Sequence, residues 1–227
     1  MPGLAYVVAK APEPGVAKTR LCPPLSPTAA AQVARAFLQD TLDTVAAGGL
    51  TSRLICRTAA ERDSLRPIVG PTVQIDVQRG EGLGGALESA FSRGLEDGHP
   101  AVAVLGADSP TLPAAVLAEG FDAVLGAGTC SADVAIGPSE DGGYYFLAAR
   151  ALHRTLFADM PWSTDRVTGE TLARCRAAGL RTLLLPTWYD VDDAASLARL
   201  QRHLGSLPEG VAQHTRAALS QLSLVTV

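Results

Sequence analysis

Short apolar runs alternate along the chain with longer stretches whose apolar residues recur at helical spacing. Leu4 to Ala9 is a continuous β-prone run, the signature of a strand buried on both faces of a parallel sheet. Similar runs predict strands at Arg53 to Arg57, Val73 to Val77, Ala101 to Leu105, Asp133 to Ile136, Tyr144 to Ala148 and Thr182 to Leu185. Ser26 followed by Pro27 is a capping residue ahead of a proline at the first helical position. It predicts a helix running to about Ala47 and stopping at Gly48 and Gly49. Further helices are predicted around Glu61 to Leu65, from Ala86 to Glu96, after Pro113, at Ala151 to Phe157, at Arg166 to Ala178 and at Ala194 to His203. The last fifteen or so residues have an amphipathic helical pattern. This alternation predicts an α/β fold, a Rossmann-like three-layer sandwich with a mostly parallel central sheet. No linker or internal repeat divides the chain, so residues 1–227 are expected to form a single domain.

Composition narrows the partners. Apolar residues make up 47% of the 227 positions and charged residues 19%, enough for a sizeable core. The net charge of −4 and the lack of a basic stripe argue against nucleic acid, and no apolar run is long enough to cross a membrane. Cys22, Cys56, Cys130 and Cys175 are widely spaced with no C-x-x-C, as reduced cysteines of a cytoplasmic protein would be. No charged segment followed by a long apolar one opens the chain, so no signal peptide is expected. Only two of the 19 basic residues are lysines, Lys10 and Lys18, and both lie beside Arg20.

That basic stretch follows the first strand, where a loop can offer backbone N–H groups and cations to phosphates. Asp108, in Gly106-Ala-Asp-Ser-Pro110, follows the most apolar strand. Ligands of open α/β sheets sit beyond the carboxyl ends of strands, and a carboxylate there suits a hard divalent cation. Asp-Ser-Pro is equally good turn chemistry. Gly80 to Gly85 would let a base or sugar approach the backbone, or simply start a helix. Asp141 with Gly142 and Gly143 is either a hairpin turn or an acceptor contact. Asp190, Asp192 and Asp193 repel one another; one is expected to cap the next helix and one to bind a metal. Trp162 is either a ligand wall or packing. Neither a Gly-x-Ser-x-Gly elbow nor a Ser-His-Asp set is present, and no spacing favours a glycosidase pair among Glu13, Glu140 and Asp141.

Taken in order, Lys10-x-Pro-x-x-Gly-x-x-Lys-Thr-Arg-Leu21, Phe37-Leu-Gln-Asp40-Thr, Gln78-x-Gly-x-Gly-Leu, Gly106-x-Asp-Ser-Pro110, Asp141-Gly-Gly-Tyr-Tyr145, Trp162-Ser-Thr164 and Asp190-Val-Asp192 carry a resemblance over about Val8 to Leu197. The chain resembles the bacterial radical-SAM/selenodomain-associated transferases of the nucleotide-diphospho-sugar transferase superfamily, which has the glycosyltransferase-A fold. It departs from them at Gly85-Ala86-Leu87, where they usually have Gly-Glu-Arg-Met. Ala17-Lys-Thr-Arg-Leu21, Leu25-Ser26 and Gly82-Leu-Gly-Gly-Ala-Leu87 are also similar to the 2-phospholactate guanylyltransferases.

The resemblance implies an enzyme, a metal-dependent transferase binding a nucleotide (an NTP or a nucleotide sugar) and a small-molecule acceptor. Lys18 and Arg20 would contact phosphates, joined by Lys10 on the reading of the basic stretch above, and Gly82, Leu83, Gly84 and Gly85 would line the base. Asp108 would hold Mg²⁺ or Mn²⁺, completed by Asp190 or Asp192, and Asp141 would approach the acceptor. Nucleotidyl transfer with pyrophosphate release, glycosyl transfer and nucleotide binding without turnover are three readings of this one site. Three cations before the first helix suit a triphosphate best.

Overall fold

The computed structural model describes residues 3–127 and 130–225. Seven strands are formed: β1 (Leu4–Val8), β2 (Thr51–Cys56), β3 (Gln74–Val77), β4 (Val102–Leu105), β5 (Val134–Pro138), β6 (Tyr144–Ala149) and β7 (Thr182–Leu184). They make one sheet in the order β3-β2-β1-β4-β6-β5-β7. All neighbouring pairs are parallel except the two made by β6, which runs against β4 and β5. The helices are α1 (Pro27–Ala47), α2 (Ala59–Val69), α3 (Gly82–Glu96), α4 (Ala114–Leu125), α5 (Val167–Ala177), α6 (Ala194–Ser206) and α7 (Gln213–Val225).

Alternation along β1 builds the layers. Ala5 and Val7 face Leu38 of α1, Leu65 of α2 and Phe121 of α4. Leu4 and Tyr6 face the opposite core, with Leu87 and Phe91 of α3 and Cys175 of α5. The result is the expected sandwich, a mostly parallel sheet between two helical layers. A third cluster packs α6 and α7 onto α1 around Phe37, Leu200 and Leu219. Asp40, buried in α1, pins α7 there: its carboxylate accepts from the backbone N–H of His214 (3.0 Å), the N–H of Thr215 (2.8 Å) and the Thr215 hydroxyl (2.5 Å). A carboxylate at a helix N-terminus satisfies donors that have no partner within the helix.

Local signals set most boundaries. Ser26 caps α1 by accepting from Ala29 N at 3.2 Å, and Gly48 ends the helix. The structure differs at two places. The helix predicted at Ala151 to Phe157 is only a 3-10 turn, Arg154–Leu156. The Arg174 guanidinium takes the Thr155 carbonyl at 2.9 Å and the Asp159 carbonyl at 3.1 Å, so the segment docks on α5 instead of winding on. Gly82 to Gly85 are the first turn of α3 and not a loop ahead of it. A Cβ on Gly85 would lie 2.7 Å from the backbone of Gly80, so this tight entry requires glycine. Among the described residues no helix is long and apolar enough to cross a membrane.

Candidate active site at the β1–β4 switch

From β1 the chain steps outward through β2 to β3, and β4 then returns on the other side of β1. At such a switch point the loops leaving two neighbouring strands part, and a crevice opens beyond their carboxyl ends. A cavity of about 450 Å³ lies there. Its walls include Lys10, Lys18, Arg20, Leu83, Asp108 and Asp192. Residues from the loop after β1, the loop after β4, the start of α3 and the loop before α6 thus converge.

Lys18 is the centre of the arrangement. Its ammonium lies 2.6 Å from Asp108 Oδ1 and 2.7 Å from Asp192 Oδ1, and donates to the Val191 carbonyl at 2.8 Å. The side chain is only 9% exposed, and the Phe37 ring lies below it at 5.7 Å. Burial alone would pull the lysine pKa down, but Asp108 and Asp192 outweigh it and hold the ammonium above its ordinary value. Arg20 reaches the other oxygen of Asp192 at 3.0 Å while remaining 75% exposed. Lys10 stands exposed on the rim. Val191 N donates to the Asp108 carbonyl at 2.9 Å, tying the loop that carries Asp192 to the one that carries Asp108.

The run of acids divides its labour. Asp193 caps α6, accepting from Ser196 N at 2.8 Å in a reciprocal box. Asp192 serves Lys18 and Arg20. Asp190 turns to Ser109, whose hydroxyl donates to it at 2.6 Å. Burial pushes the Asp190 carboxyl up, the Ser109 bond opposes this, and the charges of Asp108 and Asp141 add to the rise. Asp108 and Asp192 therefore share one cation-sized point, and Asp190 lies beside them on a separate partner.

Asp141 sits in the β5–β6 turn, outside the cavity wall, with Oδ1 accepting from Gly143 N at 2.9 Å. Gly142 has φ 89°, and a Cβ there would fall 2.1 Å from the Asp165 carbonyl oxygen, so this turn lies directly on the chain before α5. Glu140 is held by Arg199 (2.9 Å), which keeps its carboxyl below the usual range. In the glycine segment only Leu83 reaches the cavity; Gly84 packs under the Trp162 indole and Gly85 under Gly80. Trp162 meets Tyr144 edge-on, 6.3 Å between ring centres, and so props the cavity wall. Tyr144, Leu87 and Val16 are wall residues that sequence reasoning passed over. Alternation along β6, which sends Tyr145 to the opposite core, was the available signal for Tyr144.

Among the described residues, the only three ligand-type groups close enough to share one ion are Asp40, Asp43 and His214, at the α1–α7 junction. Two of Asp40's roles there, toward His214 N and Thr215 N, are already those of a helix cap.

The sheet order and the crevice together define an α/β protein of nucleotide-diphospho-sugar transferase fold. Over residues 41–164 the chain matches a bacterial family described as "Uncharacterized protein conserved in bacteria (DUF2064)", and it belongs to that family. No curated protein matches it. Among solved structures it is similar to a candidate nucleotide-diphospho-sugar transferase from Desulfovibrio desulfuricans G20, with 27% identity, a TM-score of 0.88, and 98% of this chain and 95% of the other covered. A cytidylyltransferase from Leptospira borgpetersenii superposes with a TM-score of 0.61 at 9% identity, covering 99% of this chain and 96% of the other. The inositol-1-phosphate CTP transferase of T. maritima gives 0.55 at 14%, covering 92% and 97%.

Proposed function

We propose that the protein is a metal-dependent nucleotidyltransferase that moves a nucleotidyl group from an NTP to a small phosphorylated or phosphonate acceptor and releases pyrophosphate. The observation that carries this reading is the Lys18 ammonium seated between Asp108 and Asp192 in the cavity beyond β1 and β4. Cations and carboxylates alternate within one crevice, the arrangement that a polyphosphate bound with a divalent cation needs. The two superposed cytidylyl transferases share the fold and are named for this chemistry.

The donor set fits a hard cation: Asp108 and Asp192 already converge on one positive centre, with oxygen donors alone. Asp108 and Asp192 would hold Mg²⁺ or Mn²⁺, with Asp190 as a neighbour. Such an ion, when bound, neutralises charge on phosphate oxygens. Lys10, Lys18 and Arg20 bind the β- and γ-phosphates and stabilise the negative charge that leaves with pyrophosphate. The acceptor phosphate attacks the α-phosphorus in line, so these residues act by positioning and electrostatics. Leu83 and the apolar wall of Val16 and Leu87 cover the uncharged part of the nucleotide. The β5–β6 turn with Asp141 lies on the acceptor side, where its charge already acts on Asp190.

Glycosyl transfer is the second reading, favoured by the name of the Desulfovibrio relative. The chain's resemblance to 2-phospholactate guanylyltransferases and its third cation favour the first. Calorimetric titration of each NTP with Mg²⁺ present should show saturable binding to the wild type, weakened in Lys18→Ala by about 1.5–3 kcal/mol, the worth of a charged hydrogen bond. An unchanged dissociation constant would remove Lys18 from the phosphate site.

A further inference from the structure

Around the Lys18 ammonium the paired charges balance, Asp108 and Asp192 against Lys18 and Arg20, with Lys10 exposed on the cavity rim. The pairing is tight, since the Lys18 ammonium touches both carboxylates and its own side chain is buried, while Asp108 is half exposed to water. A divalent cation arriving alone would compete for the same two carboxylates and would meet the ammonium within a few ångströms. A polyphosphate arriving alone would be placed against two uncovered carboxylates. Like charges at such range disfavour either event. Arriving together, the two ligands solve both problems, because the cation takes the carboxylates and the phosphates take the released ammonium.

The backbone is suited to that exchange. Lys18 has φ 51° and ψ 40°, in the left-handed region, at the start of the 3-10 turn Thr19–Leu21. For a residue with a side chain this conformation is costly and persists only where its surroundings hold it. In this turn the Lys18 carbonyl accepts from Leu21 N at 2.9 Å, while the ammonium contacts Asp108, Asp192 and the Val191 carbonyl. A lysine stem has four rotatable carbons, so its charge can move several ångströms without moving the fold.

Resting on the metal-assisted reading above, we infer that Lys18 is a built-in counter-ion for the carboxylates that would hold the metal, so that divalent cation and polyphosphate bind cooperatively and neither binds well alone. Lys18 is thereby a positioning residue as well as a phosphate ligand. The coupling is reciprocal: whatever factor the polyphosphate adds to metal affinity, the metal adds to polyphosphate affinity.

The test is Mn²⁺ binding to the nucleotide-free chain, followed by the electron paramagnetic resonance of the unbound ion. Lys18→Met and Lys18→Gln should bind Mn²⁺ at least tenfold more tightly than the wild type. Adding Asp108→Asn to either variant should abolish that gain, which places the ion on these carboxylates. Thermal unfolding of each variant confirms that the comparison is between folded proteins, and Lys18→Gln, which keeps a hydrogen-bond donor, secures it if Lys18→Met is unstable. Equal Mn²⁺ affinity in the wild type and a folded Lys18 variant overturns the counter-ion role while leaving the metal-assisted reading standing. If Mn²⁺ fails to bind any of them even with an α,β-methylene NTP analogue present, both the reading and the inference fall.

Discussion

Replacing Asp108 by Asn separates what this residue does for the fold from what it does for the chemistry. The substitution keeps shape and removes one charge. Asp108 pairs with Lys18 at 2.6 Å, yet its side chain is 48% exposed, so water screens the pair. An ion pair of that exposure is worth up to about 1 kcal/mol. Lys18 also retains Asp192 at 2.7 Å and the Val191 carbonyl at 2.8 Å, so no buried charge is stranded. For a chain of this length, 1 kcal/mol moves Tm by roughly 2–4 °C. The catalytic cost is of another order. Losing one group aimed at charge that develops in the transition state typically lowers kcat by about 10²–10³, or roughly 2.7–4 kcal/mol. The assay is paired: Tm by circular dichroism, and turnover as pyrophosphate released from an NTP and a phosphorylated acceptor. The expected result is a nearly unchanged Tm with turnover down at least a hundredfold. Turnover within a few-fold of wild type would refute the placement of the metal, and a collapse in Tm would show that Asp108 is structural.

Two further outcomes follow from charges outside the cavity. Asp40→Ala should cost about 2 kcal/mol, the range of a lost helix cap, and lower Tm by roughly 4–8 °C while turnover per folded molecule stays unchanged; an unchanged Tm would mean that α7 is not held by this carboxylate. Asp133 is held down to about 2 by hydrogen bonds from the Arg181 side chain and backbone. Because its folded pKa lies below its unfolded value near 3.9, the stability it adds is present at neutral pH and lost as pH falls from about 4 toward 2. Asp133→Asn should therefore be less stable than wild type in urea at pH 7, by up to about 1 kcal/mol for so exposed a pair, with the gap closing as pH falls through about 2. A gap that does not narrow between pH 7 and pH 2 would assign the effect to packing.

How far the sequence reveals this molecule depends on the range of the interaction concerned. α1 could be bounded because Ser26, Pro27 and Gly48 act on the backbone next to them. β1 and β4 were visible because a strand buried on both faces has to be apolar throughout. The Ala151 to Phe157 stretch departs from its pattern for the opposite reason: Arg174, from another element, takes the Thr155 carbonyl within it and the Asp159 carbonyl just beyond it. In the sequence the glycines of Gly82 to Gly85 are open to two readings, a base-lining loop or a helix start; in the fold Gly85 lies against Gly80 and Gly84 against Trp162. In the site, Lys18, Arg20, Asp108 and Asp192 could each be picked out from their own loops. Their meeting could not, because 174 positions separate Lys18 from Asp192 and only the sheet order closes that gap. Nor does the Asp190 to Asp193 spacing reveal which acid faces the lysine, which faces Ser109 and which caps α6.

The most direct measurement is pyrophosphate release by the purified protein with Mg²⁺, each NTP in turn, and a panel of phosphorylated acids, phosphonates and sugar phosphates. The account predicts release with at least one pairing of NTP and acceptor, matched mole for mole by a nucleotidylated product. Silence across the panel, with nucleoside diphosphate released instead from a nucleotide sugar, would contradict nucleotidyl transfer and assign the same cavity to glycosyl transfer.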